Sequence, residues 1–218
     1  MQVAVAHKSI VTYHTTVHGH EAHSAKPMLG ANAVMAAADL IAELNRIADA
    51  MVARGDASGR FDPPNTTVHV GTIQGGTARN ILPKLCAFHW EFRGLPDLDM
   101  SEIPGLFEAA CARVVRERLN RYGDYGRIET IEEVSVPGLA PEPGSAAEQL
   151  ALRLSRHNRT ISVPYATEAG RFQGAGIPTV VCGPGSIDQA HQPDEYITLD
   201  QLTRGEAFMQ RLLADCRA

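Results

Sequence analysis

KSIVTYHTTVHGHEAHSAKPMLGANAVMAAADLIAELNRIADAM, residues Lys8 to Met51, sets the fold, because the hydrophobic period changes within it. In its first third, Ile10, Thr12, His14, Thr16 and His18 share one face, and Val11, Tyr13, Thr15 and Val17 share the other. A period of two in β-branched residues predicts a strand. A loop with Pro27 and Gly30 follows. From Ala31 the apolar residues Val34, Ala37, Leu40, Ile41, Leu44, Ile47 and Met51 recur at helical spacing, which predicts a helix of about 20 residues.

Outward from this unit the pattern repeats in reverse. Gly55 to Pro64 is a polar loop. Thr66 to Ile73 reads as a strand, Gln74-Gly75-Gly76-Thr77 as a turn, and Leu85 to Arg93 as another strand. A second helix carries Pro104 in its first turn, where proline is tolerated, and buries Leu106, Phe107, Ala110, Val114 and Val115. Arg127 to Val134 is a fourth strand. The order β-α-β-β-α-β is the split βαβ pattern of a ferredoxin-like sandwich, and it places residues 1–135 in one unit.

Pro137 to Gly144 (PGLAPEPG) marks the junction to a second unit, residues 136–218. That unit reads as a helix over 145–157, a short strand over 160–163, a short helix over 168–174 capped by Thr167, a buried strand over 178–182, and a final helix from Leu199 to about Cys216. Its few strands read as buried on both faces and need neighbours, so it is expected to be the end of a larger α/β domain that begins before Met1.

Bulk properties narrow the function. The chain has 218 residues, is 44% hydrophobic and 21% charged, and carries a net charge of −5. This argues against nucleic acid or an anionic membrane as the partner. No run approaches the roughly 20 apolar residues of a membrane helix, and MQVAVAHKSI lacks the layout of a signal peptide. Cys86, Cys111, Cys182 and Cys216 form no CxxC pair. They read as reduced thiols in a cytoplasmic protein.

His191 has the surroundings of a metal ligand. It follows a strand and Gly183-Pro184-Gly185-Ser186, with Asp188, Asp194 and Glu195 nearby. A solvated loop histidine explains the same residues. HGHEAH packs His18, His20 and His23 into six residues, but the only nearby carboxylate is Glu21. One functional histidine fits this loop better than a metal cluster, and an ordinary surface loop fits it equally well. His14, His69 and His89 alternate along strands and read as structural. Glu132-Glu133 reads as solvated surface, and Gly75 to Asn80 lacks the ending of a phosphate loop and instead presents Arg79 and Asn80.

Four segments in order carry a resemblance: GHEAHSAKPMLGANAV, VGTIQGGTARNILPKLCAFHWEFR, YATEAGRFQ and GPGSIDQAHQPDEYI. Together they resemble the di-zinc amidohydrolase family of exopeptidases and N-deacylases, and the ending is most similar to its acetylornithine deacetylase branch. The resemblance implies an α/β catalytic domain with an inserted βαββαβ lid that forms a homodimer. Residues 1–135 then correspond to the lid and 136–218 to the end of the catalytic domain, the N-terminal catalytic part being absent.

The resemblance also implies individual roles. His191 would be the last zinc ligand. His23 would be the lid histidine that crosses the dimer to stabilise the oxyanion. Asn80, Arg93 and, less closely, Thr167 would contact substrate. The implied cofactor is zinc, two ions per complete site with cobalt possible, not held tightly by this chain alone. The implied reaction removes the acyl group of an N-acyl amino acid, N-acetylornithine giving ornithine and acetate in arginine biosynthesis. Desuccinylase or aminoacylase activity and a non-catalytic dimerisation module are the alternatives. The family's H-x-D-x-x-P metal segment does not occur in this sequence, and Glu132-Glu133 follows the lid and cannot be its glutamate pair. Alone, this chain is therefore expected to be inactive.

Overall fold

A computed structural model describes residues 1–217. In chain order the elements are β1 (Gln2–His7), β2 (Ile10–His18), α1 (Ala33–Arg54), β3 (Thr67–Gly75), β4 (Leu85–Arg93), α2 (Glu102–Val114), β5 (Arg127–Val136), α3 (Ala146–Ser155), β6 (Thr160–Val163), α4 (Ala169–Gly174), β7 (Val181–Gly183) and α5 (Leu199–Asp215). One sheet has the order β3-β4-β2-β5 with every pairing antiparallel. With α1 and α2 on one face, this is the ferredoxin-like sandwich expected from the periodicity.

Alternation decides which face is covered. Val11, Tyr13 and Val17 on β2 and Cys86, Phe88, Trp90 and Phe92 on β4 pack against Ala33, Ala36, Ala37, Leu40, Leu44 and Ile47 of α1 and Ile103, Phe107 and Ala110 of α2. Small alanines on α1 let that helix sit close to the aromatic rows of the sheet. Asn32 caps α1 by accepting from the Met35 N–H at 3.0 Å. α2 runs on into a π-helical turn, Val115–Leu119, which buries Leu119. The other face of the sheet is open.

β1 corrects the expected division of the chain. Residues 2–7 lie in a second sheet, β6-β1-β7, where β1 runs parallel to β6 and antiparallel to β7. They pair with strands that lie after residue 136 and not with the four-stranded sheet. Only Lys8 and Ser9 separate β1 from β2, and both are buried. The last strand is also shorter and more open than expected: β7 covers Val181–Gly183 and its residues are half-buried or exposed.

The crossing between the two sheets is held by polar groups. Lys8 Nζ donates to the carbonyls of Pro63 at 2.8 Å and Asn65 at 2.6 Å, beneath the ring of Phe61. The backbone of His7 exchanges two hydrogen bonds with Leu139. His7 is fully buried, its Nδ1 lies 2.9 Å from the Lys8 carbonyl, and its Nε2 has no partner among the described residues. Burial pulls its pKa below the ordinary histidine value.

The sign of the resulting pH effect follows. The unfolded chain binds a proton at His7 more readily than the folded one. Stability is therefore full above about pH 6.5 and falls as pH drops toward the depressed folded value. We expect His7→Gln to flatten this part of the stability profile, measured by urea unfolding at a series of pH values. An unchanged slope would show that His7 does not carry it.

Candidate functional site

His23 is presented by a loop that close backbone packing holds in place. A Cβ on Gly19 would lie 2.2 Å from the Ala31 carbonyl oxygen, and one on Gly30 would lie 2.5 Å from that of His20. Only glycine permits this approach. It lets His20 and Ala31 exchange backbone hydrogen bonds of 2.9 and 3.0 Å. The loop is then zipped to the segment before β4. Leu82 N–H donates to the Ala22 carbonyl at 2.8 Å, His23 bridges Ile81, and Ser24 N–H donates to the Asn80 carbonyl at 3.0 Å. His23 and Asn80, far apart in sequence and both exposed, thus sit on adjacent backbones.

The His23 ring has a defined polarity. Its Nδ1 accepts the Ala25 N–H at 3.1 Å. An accepting Nδ1 must carry a lone pair, so the ring proton resides on Nε2, which is left as a donor toward solvent. That is the polarity needed to donate to a developing oxyanion.

Arg93 and Thr167 lie elsewhere. β4 begins just after the Asn80 segment and ends at Arg93, and a strand of this length separates its ends by roughly 27 Å. Within one chain Arg93 is therefore not assembled with His23 and Asn80. It is half-buried, and its Nε donates to Glu91 Oε1 at 3.1 Å. The Arg93 end of the sheet is the end that meets the second unit. Gly138 there fits between the His7 carbonyl and Pro96, and Gly170 of α4 packs directly on Pro137 and Gly138. Thr167 is half-buried just before α4. It does not cap that helix from the N-cap position, which Glu168 occupies, but its Oγ1 accepts from Ala169 N–H at 3.1 Å.

His191 is exposed, with φ of 58°. Its backbone N–H donates to Glu195 Oε2 at 2.9 Å, and among the described residues its ring has no hydrogen-bond partner. A carboxylate anchored to the backbone beside a free imidazole is compatible with a ligand loop. The surrounding acids do not converge on it with other metal-binding groups among the described residues.

Glu132 and Glu133 are exposed, as the surface reading expected, and Glu132 also accepts from the Tyr13 hydroxyl at 3.1 Å; burial of Tyr13 together with this carboxylate pushes the tyrosine pKa up. His14 and His89 are more than alternating strand residues, because their ligand atoms and that of Glu133 lie within 4.8 Å of one another. The strand register that creates this cluster had no signal in the residue types. A groove of about 650 Å³ follows α1 and α2, but its Arg113 and Arg118 are matched by Glu43 and Asp39.

Comparison with known proteins adds the family. A family model described as the peptidase dimerisation domain, M20 type, matches residues 5–118. The chain belongs to this family. Acetylornithine deacetylase of Myxococcus xanthus is 34% identical over 209 residues, covering 96% of this chain and 53% of that protein. A tripeptidase from Staphylococcus aureus superposes with a TM-score of 0.69 at 21% identity, covering 95% of this chain and 52% of that one. An aminopeptidase from Bacillus cereus gives a TM-score of 0.69 at 23% identity, with coverage of 95% and 52%. These two structures share the fold. The chain spans about half the length of the curated relatives it matches. No helix among the described residues is long and apolar enough to cross a membrane.

Proposed function

We propose that this M20-family chain supplies the dimerisation lid and the closing part of the catalytic domain of a cytoplasmic, metal-dependent amide hydrolase. The proposed substrate is an N-acyl amino acid. N-acetylornithine is favoured, giving ornithine and acetate for arginine synthesis. The observation that carries this reading is the zipping of His23 to Asn80, which offers an Nε2–H donor beside an exposed amide at the far tip of the lid. The identity to acetylornithine deacetylases over 96% of the chain supports the substrate class.

The unit boundaries in this reading are the lid at about 8–135 and the catalytic segment at 136–218 joined by Gln2–His7. Apolar side chains exposed in the second unit support a neighbour there. Phe172, Ile177, Tyr196, Leu202, Met209 and Leu213 are each more than half exposed, and α5 buries none of its residues. Surfaces of this kind mark contact with further protein.

His191 fits a metal ligand by its chemistry. The remaining ligands of a two-metal site would come from outside these residues, since one imidazole cannot hold a catalytic ion. Zinc, when bound, would supply a water of lowered pKa and polarise the scissile carbonyl. This chain's own groups do the rest. His23 Nε2–H donates to the oxyanion from a partner subunit, Asn80 orients the acyl group, and Thr167 lines the substrate side. Arg93 exchanges Glu91 for the substrate carboxylate, a bidentate match that lysine could not reproduce.

A substrate panel tests the reading. In a protein that joins this chain to the catalytic segment its relatives carry, N-acetylornithine should be turned over faster than N-succinyl-diaminopimelate and unrelated N-acyl amino acids. The 218-residue chain alone should show no turnover. A preference for the succinyl substrate would overturn the assignment within the family, and hydrolysis by the chain alone would overturn the division of labour.

A further inference from the structure

The open face of the four-stranded sheet carries a cluster that the amide-hydrolase reading leaves unused. His14 on β2 stands directly opposite His89 on β4, and their rings stack at 4.4 Å with 16° between planes. A stacked cross-strand pair alone would be ordinary sheet packing. Two irregularities, one on each side of the pair, add to it. On β5, Val134 pairs with Thr12 and Glu132 with Tyr13, so Glu133 is an extra residue. The bulge turns its carboxylate onto the open face, where Oε1 lies 3.7 Å from His89 Nε2. On β3, Val70 pairs with Trp90 and Thr72 with His89, so Gly71 is extra. That bulge brings Thr72 Oγ1 to 3.0 Å from His89 Nδ1.

These contacts define a donor set. With Nδ1–H donating to Thr72, His89 directs the Nε2 lone pair toward Glu133. The ligand atoms of His14, His89 and Glu133 lie within 4.8 Å of one another. Around a tetrahedral ion with bonds of about 2.0–2.2 Å, ligand atoms stand roughly 3.3–3.5 Å apart. The closure needed is small, and Glu133 is an exposed side chain that can rotate to make it. Two imidazoles and a carboxylate suit zinc, cobalt and nickel, while magnesium and calcium prefer all-oxygen sites.

We propose that His14, His89 and Glu133 form a binding site for a divalent transition-metal ion, with Thr72 as a positioning residue that fixes the His89 ring. The ion cross-links β4, β2 and the edge strand β5, and its remaining coordination positions face solvent. Since the ligands come from three neighbouring strands, binding also stabilises the sheet, as for any ligand of the folded state alone.

Cobalt(II) titration of the 218-residue chain tests this, with visible d–d absorption and equilibrium dialysis as readouts and circular dichroism as a fold check. One cobalt per chain is expected, with a rise in Tm. His14→Asn and His89→Asn should abolish both, and Glu133→Gln, an exposed change that leaves the fold intact, should weaken binding at least tenfold. Thr72→Val should weaken it by about 10-fold, the lower end for loss of a group that supports a ligating histidine. His157→Asn, an exposed histidine outside the cluster, should change nothing. Absence of binding, or binding that survives His89→Asn and Glu133→Gln, or binding lost with His157→Asn, would each overturn the proposal.

Discussion

Trp90→Ala is expected to lower the free energy of unfolding by about 3–5 kcal/mol. Trp90 is 2% exposed at the centre of the lid core. Its ring stacks on Tyr13 with centroids 4.3 Å apart and leans on Phe107 at 4.6 Å, so both the sheet and α2 lose a surface when it is removed. Its indole N–H donates to Thr15 Oγ1 at 3.0 Å, and Thr15 also pairs with Thr130 at 3.0 Å. The hydroxyl therefore keeps one partner in the variant, and the cost is chiefly the cavity. Trp90→Phe refills part of it and should cost less than half as much. Urea unfolding measures both: the midpoint should fall with the slope unchanged. A loss under 1 kcal/mol for Trp90→Ala would show that α2 collapses onto the sheet and that this core is not close-packed.

His23→Ala should have the larger effect on chemistry. In a protein that joins this chain to the catalytic segment of its relatives, removing an oxyanion donor is expected to reduce kcat by about 10²–10³-fold, or about 2.7–4 kcal/mol of transition-state stabilisation. KM should change little, because the interaction forms as charge develops on the carbonyl oxygen. The stability cost should be small, since His23 is exposed and its one side-chain hydrogen bond is the local one to Ala25. A rise in KM with kcat retained would instead make His23 a substrate-binding group.

Much of the fold was legible because its elements follow simple periods. The alternation of Ile10 to His18 and of Leu85 to Arg93, and the helical stripe from Val34 to Met51, each gave the right element within a few residues. β1 was not legible, since Gln2–His7 is separated from β2 only by Lys8 and Ser9, with no Gly, Pro, Asn or Asp to mark a break. A lysine normally marks solvent, yet here two backbone carbonyls take up its ammonium and allow it to be buried.

The candidate site was legible in part. The order of the motifs singled out His23 and Asn80, and the structure sets the two on adjacent, zipped backbones. The separation of Arg93 from them depends on strand direction, which residue types do not encode. Glu133 joins His14 and His89 through the β5 bulge, which left no mark in the residue types, whereas Gly71 in the middle of β3 did mark the second bulge, the one that sets Thr72 beside His89. His191 stays isolated among the described residues, with no other metal-binding group converging on its ring.

Mixing two inactive variants checks whether His23 of one subunit serves the metal site closed by His191 of its partner. His23→Ala and His191→Ala would each be made in the protein carrying the catalytic segment, unfolded together and refolded. Half of the dimers are then mixed, and one of the two sites in each has both histidines intact. Roughly a quarter of the parent activity should return. Activity no greater than that of the two variants assayed separately would contradict a site shared across the dimer.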